Sequence, residues 1–223
     1  MPQKQRLDKT LILYYLLKYT AYFTGVLPLL VLFSKKRAFV FSEPIIPFVW
    51  LTFIATLYEL VGTTILRISV DYWFQVYSLL EFLTVFYFYG KLFQSRFKTL
   101  FRLFFIALVV VYGISFYFWM AYSSFIAVAI NRIPLTLLVL LGSFWWVRDL
   151  FKSDETQNLW QNPTFYFVTA FYIYYLVTMP LFLMANFIFD SNLYFYDFAI
   201  VNVMATLILR ILLTCGVWKM RPA

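Results

Sequence analysis

A chain of 223 residues that is 64% hydrophobic and 13% charged excludes an ordinary water-soluble domain. A soluble fold of this size cannot hide so much apolar surface. Its net charge of +8 is spread over short segments between apolar runs. It therefore points to loops facing anionic lipid headgroups rather than to nucleic acid. The lack of histidine and the single cysteine, Cys215, exclude an intrachain disulfide, a Cys/His metal centre and Ser-His-Asp catalysis. No cofactor is implied.

The apolar residues form runs of about 20, the length that crosses roughly 30 Å of hydrocarbon as a helix. A β-barrel would instead alternate apolar and polar residues over about ten. Seven runs qualify, at 11–33, 46–66, 72–92, 99–119, 122–147, 164–188 and 195–217. The expected fold is an all-α integral membrane protein, a bundle of seven transmembrane helices forming one domain over residues 1–223. The first run is longer than a signal-peptide core and lacks a small-residue cleavage site, so it reads as a retained span. The boundary between the fourth and fifth runs is expected near Met120-Ala121-Tyr122-Ser123-Ser124. Short connections lead us to expect antiparallel hairpins of neighbouring helices. Trp50, Trp73, Trp119, Trp145, Trp146 and Trp218 fall at the ends of the runs, where indole rings favour the membrane–water interface.

Basic residues set the expected orientation. Lys4, Arg6, Lys9 and Arg67 lie on one side, and Lys35, Lys36, Arg37, Lys91, Arg96, Lys98, Arg102, Arg148, Lys152, Lys219 and Arg221 on the other. Positive charge is retained in the cytoplasm, which predicts the N-terminus outside and the C-terminus cytoplasmic. The connection from Arg148 to Pro163, with Asp149, Lys152, Asp154 and Glu155, reads as a solvated linker carrying a short interfacial helix.

Five ionisable residues interrupt the apolar runs: Lys18, Glu59, Glu81, Arg132 and Arg210. A charge at membrane depth costs several kcal/mol unless paired or wetted, so each is a candidate for function. Polar neighbours share their faces at helical spacing. Thr52, Thr56, Glu59 and Thr63 follow one stripe, Tyr77, Glu81 and Thr84 a second, Arg132, Thr136 and Ser143 a third, and Asn202, Thr206 and Arg210 a fourth. Lipid satisfies none of them, so the stripes should face one interior. The candidate intramembrane site is Lys18, Glu59, Tyr77, Glu81, Arg132, Asn202 and Arg210. Depth along the helices predicts the pairs Lys18–Glu59 and Glu81–Arg132. It leaves Arg210 to Tyr hydroxyls, Asn202 or backbone carbonyls. Pro134 and Pro180 are expected to kink their helices beside these groups. Tyr166, Tyr172, Tyr174 and Tyr175 on the sixth run either pack against lipid or supply hydroxyls to the charges. The whole cluster has a second reading as a structural lock of ion pairs.

The stretch Tyr77-Ser78-Leu79-Leu80-Glu81-Phe82, with Asn202 in the last run and the basic tail Lys219-Met220-Arg221, resembles a loose group of small seven-helix bacterial inner-membrane proteins. That resemblance implies a fold and a location in the bacterial inner (plasma) membrane, and no activity. Rhodopsins are similar in helix count, but their retinal lysine has no counterpart among Asn202, Thr206 and Arg210. The Pro-Gln signature of small seven-helix sugar carriers has no counterpart within the runs. The expected function is a receptor-like or accessory subunit that binds a ligand, lipid or partner in a polar intramembrane cavity. The alternative is a small transporter or channel using the carboxylates and arginines. An intramembrane enzyme with Glu59 and Glu81 as acid and base has the opposing cations against it. The expected partners are the bilayer itself, anionic headgroups at the cytoplasmic loops, and a membrane-protein partner or further copies of the chain.

Overall fold

The computed structural model describes residues 2–68, 71–94, 96–121, 124–152, 154–184 and 195–221. Those residues are helical almost throughout. The helices are α1 (Pro2–Ser34), α2 (Ile46–Leu57), α3 (Asp71–Phe93), α4 (Lys98–Ala121), α5 (Ser124–Lys152), α6 (Pro163–Leu183) and α7 (Phe195–Lys219). Each is long and apolar enough to cross a membrane, α2 only together with the helical turn that continues it to Ile65. The expected end of the sixth run at 188 and the turn residues Tyr122 and Ser123 lie outside the described residues. So do the side chains of Lys4, Arg6, Lys9, Asp154 and Glu155.

Neighbouring helices pack as α1–α2, α2–α3, α3–α5, α5–α6, α6–α7 and α7–α1. The six close into a ring, and α4 lies outside it against α5. This is a departure from a simple succession of hairpins, because α4 packs mainly on α5 and only lightly on α3, the helix before it. Burial follows this placement. The apolar stretch of α4 has a mean hydropathy of 2.1 and is 17% buried, against 67% for that of α5. Leu103, Ile106, Val109, Val110, Ile114 and Tyr117 of α4 all point outward. Aromatic contacts tie α4 to α3 at Phe86–Phe101 and Phe86–Phe105.

The ring interior has two halves. In the half holding the ends of α1, α3, α5 and α7 and the starts of α2 and α6, Phe48, Phe88, Tyr89, Phe171 and Tyr175 are fully or almost fully buried. Their rings meet edge to face, Phe48–Phe171 at 4.7 Å and Phe88–Phe171 at 5.2 Å. Such pairs add to the energy of burial itself. Gly142 admits the ring of Tyr89, since a Cβ there would lie 2.6 Å from its Cδ1, and Tyr89 shares a 2.8 Å hydrogen bond with Ser143. The opposite half of the ring is polar.

The second span departs from expectation, whereas the connection between the fifth and sixth carries the short helix expected of it. The second run continues past Leu57 as a π-helical segment, Tyr58–Ile65, rather than as α-helix. The Thr63 and Thr64 hydroxyls both donate to the Glu59 carbonyl. Hydroxyls that capture a backbone acceptor compete with the regular ladder, and the amide of Leu66 bonds five residues back to Val61. After α5 a short 3₁₀-helix, Asp154–Gln161, leads into α6, whose first turn is capped by the Asn162 side chain accepting from the Thr164 amide at 2.9 Å. Pro134 and Pro180 lie inside continuous helices, so neither ends its element.

Candidate functional site

The stripe threonines largely satisfy themselves. Thr52, Thr56, Thr178 and Thr206 each donate to the carbonyl four residues earlier, at 2.8–2.9 Å. Their hydroxyls remain acceptors, but their donors are spent on their own helices. What remains to define a site is the set of charged and amide side chains.

A cavity of about 90 Å³ sits inside the polar half of the ring. Its walls include Glu59 from the π-helical segment, Tyr77 and Glu81 from α3, Arg132 from α5, and Asn202 and Arg210 from α7. Six of the seven residues singled out by sequence therefore share one enclosed space. A larger vestibule of about 410 Å³ adjoins it, bounded by α1, the end of the second span, α3 and α7. Glu59, Trp73, Phe74, Asn202, Thr206 and Arg210 belong to both walls. Lys18, the seventh residue, lines the vestibule.

At the inner end, Arg132 and Glu81 are 6% and 1% exposed, with 4.0 Å between Nη2 and Oε2. That is the outer limit of an ion pair, and the guanidinium makes closer contacts elsewhere. It donates to Thr178 Oγ1 at 2.9 Å and to the Tyr174 hydroxyl at 3.3 Å. Phe182 presents its ring face 4.0 Å from Cζ, within the range of a cation–π contact. The hydroxyls of Tyr77 and Tyr175 approach the Glu81 carboxylate without full hydrogen-bond geometry. Glu81 Oε1 and the Tyr175 hydroxyl thus have no protein partner, and neither does Arg132 Nε.

Arg210 is 4% exposed and donates from Nη1 to the Ala21 carbonyl at 2.5 Å, leaving Nε unpartnered. Gly25 makes this approach possible. A Cβ at that position would lie 3.1 Å from Arg210 Cζ and 2.2 Å from Thr56 Oγ1. The Asn202 side-chain oxygen is also buried without a partner.

The expected Lys18–Glu59 pair is not formed. Among the described residues no carboxylate lies within 4.0 Å of Lys18. Its ammonium instead sits 6.0 Å and 5.7 Å from the ring centres of Tyr14 and Tyr22. The physical reason is reach. Glu59 lies in the π-helical turn and lines both cavities together with Arg210, whereas Lys18 reaches only the vestibule. Even Arg210 stays outside ion-pair distance of Glu59.

Sequence reasoning missed several members. Asn131 donates to Gln75 Oε1 and Ser78 Oγ, both at 3.2 Å, forming a buried amide cluster beside the cavity. Gln75 is the first uncharged polar residue of its run, a signal weaker than a charge. Trp73, at the start of its span, also forms part of both cavity walls, stacked on Tyr58 at 4.4 Å. The sixth-helix tyrosines divide: Tyr174 accepts from Arg132, Tyr175 is buried with its hydroxyl unpartnered, Tyr166 donates to the Trp160 carbonyl, and Tyr172 is exposed. No family model, curated protein or solved structure matches this chain, so the site is read from its own chemistry.

Proposed function

We propose that the chain crosses the bacterial inner membrane seven times, N-terminus outside and C-terminus cytoplasmic, as a receptor-like or accessory subunit whose polar cavity binds a small ligand. One observation carries the reading. Buried side chains of opposite charge line a single cavity with hydrogen-bonding atoms left unpartnered: Glu81 Oε1, Arg132 Nε, Arg210 Nε and Asn202 Oδ1. A structural lock would satisfy its own members, because each unsatisfied buried group costs about 1–3 kcal/mol. An occupant that brings its own donors and acceptors removes that cost.

The aromatic half of the ring supports binding over permeation. Below Glu81 the interior is filled by Phe48, Phe82, Phe88 and Phe171, each at most 2% exposed, so the cavity is blind and a pore would require this floor to open. On the far side, Lys35 donates to the Trp218 and Met220 carbonyls at the end of α7. Arg37, Lys219 and Arg221 line a cleft there. This cationic face suits anionic headgroups or a partner's acidic surface, and α7 joins it to Arg210.

Native mass spectrometry of the protein extracted gently from its membrane tests the reading. A small-molecule mass retained by the unmodified chain and lost in Arg210→Met is the expected result. A chain that emerges empty, together with proteoliposome flux abolished by Glu81→Gln, would replace this reading with transport.

A further inference from the structure

The vestibule has an unusual electrostatic composition. Lys18, Arg210 and Glu59 face the same 410 Å³ space, and no two of them form an ion pair. Lys18 rests on aromatic rings, Arg210 on one backbone carbonyl, and Glu59 has no cation within 4.0 Å among the described residues. Unpaired charges at this depth are costly, and groups that merely locked the bundle would close on one another. Held apart around a space of small-molecule size, they match a ligand carrying charges of both signs.

The arrangement specifies more than that. Arg210 reaches α1 at the Ala21 carbonyl, less than one helical turn along the chain from Lys18. Both cations line the same vestibule, so a multivalent anion seated in it can meet the two. A guanidinium with Nε unpartnered has the donor fork that recognises phosphate oxygens. Glu59 offers a carboxylate to an ammonium, and Trp73, Phe74 and Phe198 supply ring faces around it. Formal charges agree. Two cations and one carboxylate sum to +1, whereas a phosphate monoester near −2 joined to an ammonium sums to about −1.

We propose that the vestibule binds an amino-phosphate zwitterion, its phosphate between Lys18 and Arg210 and its ammonium on Glu59. This rests on the reading of the cavity as a binding site and names the class of its ligand. A free solute and the headgroup of an aminophospholipid share this chemistry.

The test uses the full chain in nanodiscs of phosphatidylglycerol, which carries no amine, titrated calorimetrically with O-phosphoethanolamine, inorganic phosphate and ethanolamine. The expected result is O-phosphoethanolamine binding at least about tenfold tighter than either half alone, a step of about 1.4 kcal/mol. Glu59→Gln and Lys18→Met should each abolish that preference. In discs of mixed phosphatidylethanolamine and phosphatidylglycerol, preferential retention of the amino lipid, lost in both variants, identifies the headgroup as the source and supports the same chemistry. The selectivity of the unmodified protein decides the matter even where a variant fails to fold. Inorganic phosphate binding as tightly as the zwitterion overturns the ligand class and leaves the binding cavity standing. No binding of any probe and no retained amino lipid overturns the proposal too. The cavity reading itself falls only when native mass spectrometry finds nothing held through Arg210.

Discussion

Replacing Arg132 with Met leaves Glu81 buried at 1% exposure with neither its cation nor an adequate hydroxyl partner. At 4.0 Å and an effective dielectric constant near 20, the lost attraction is about 4 kcal/mol. Losing one partner of a buried pair costs about 3–5 kcal/mol in measured cases. The two hydrogen bonds from Arg132 and its contact with Phe182 place this substitution toward the upper part of that range. Glu81→Gln strands the arginine less severely, because Thr178 and Tyr174 still accept from it. The double variant Glu81→Gln/Arg132→Met removes both charges and should recover most of the stability, giving a coupling energy of at least about 2 kcal/mol. Reversible unfolding in mixed micelles, measured on all four proteins, reads this directly. Purely additive losses would refute the reasoning, because they would show that the carboxylate does not sense the guanidinium at this distance. The double variant also separates lock from site: a purely structural pair leaves ligand retention intact, whereas a binding pair yields a folded protein that comes out empty.

Gly25→Ala should destabilise the chain by about 1–3 kcal/mol through overpacking, since its Cβ would meet Thr56 Oγ1 at 2.2 Å. Adding Thr56→Ala, which removes that atom and Cγ2, should restore most of the loss in the same unfolding assay. Lys35→Met removes the donor that Nζ supplies to the Trp218 and Met220 carbonyls. The α7 C-terminus should then fray, at a global cost of about 1 kcal/mol or less, seen as faster amide exchange over 217–221; unchanged exchange there would rule out a capping role.

The seven helices were legible because a span through hydrocarbon must be continuously apolar, and that pattern survives any tertiary arrangement. Depth along a helix was legible for the same reason. Glu81 and Arg132 fall at one level by residue count, and the structure brings their charges to 4.0 Å. Arg210 takes a backbone carbonyl, but it shares both cavity walls with Glu59, an acid that residue count sets at another level. Azimuth was less legible. The stripe through Thr52, Thr56, Glu59 and Thr63 assumes about 100° per residue, and the π-helical segment from Tyr58 to Ile65 breaks that assumption at the residue that matters. Glu59 therefore shares its walls with Arg210 and Lys18 without closing on either. The amide cluster of Gln75, Ser78 and Asn131 was hidden for a different reason. Uncharged polar residues are tolerated in membrane helices at small cost, so a glutamine inside an apolar run does not announce an interior position as a glutamate does.

The position of α4 links fold to site. A polar interior in a small bundle needs enough helices to surround it, and it needs every polar face turned inward. Six helices carry such faces and close into the ring. The fourth contributes no charged side chain to the interior, only Tyr112 and Ser115 on its inner side, and it packs outside on the central α5. By covering the outer side of α5, it keeps Arg132 on a helix that is 67% buried over its apolar stretch, where the charge has nowhere to turn except the cavity. The other wall, formed by α1 and the π-helical end of the second span, is held differently. Lys18 and Glu59 there are only partly buried, and Gly25 keeps Thr56 and Arg210 within reach. One wall is thus packed and charge-paired, and the other is open and charge-separated. That asymmetry suits a site in which a ligand completes the loose wall against the fixed one, and it makes the π-helical turn at Glu59 the element whose geometry should respond when the vestibule fills.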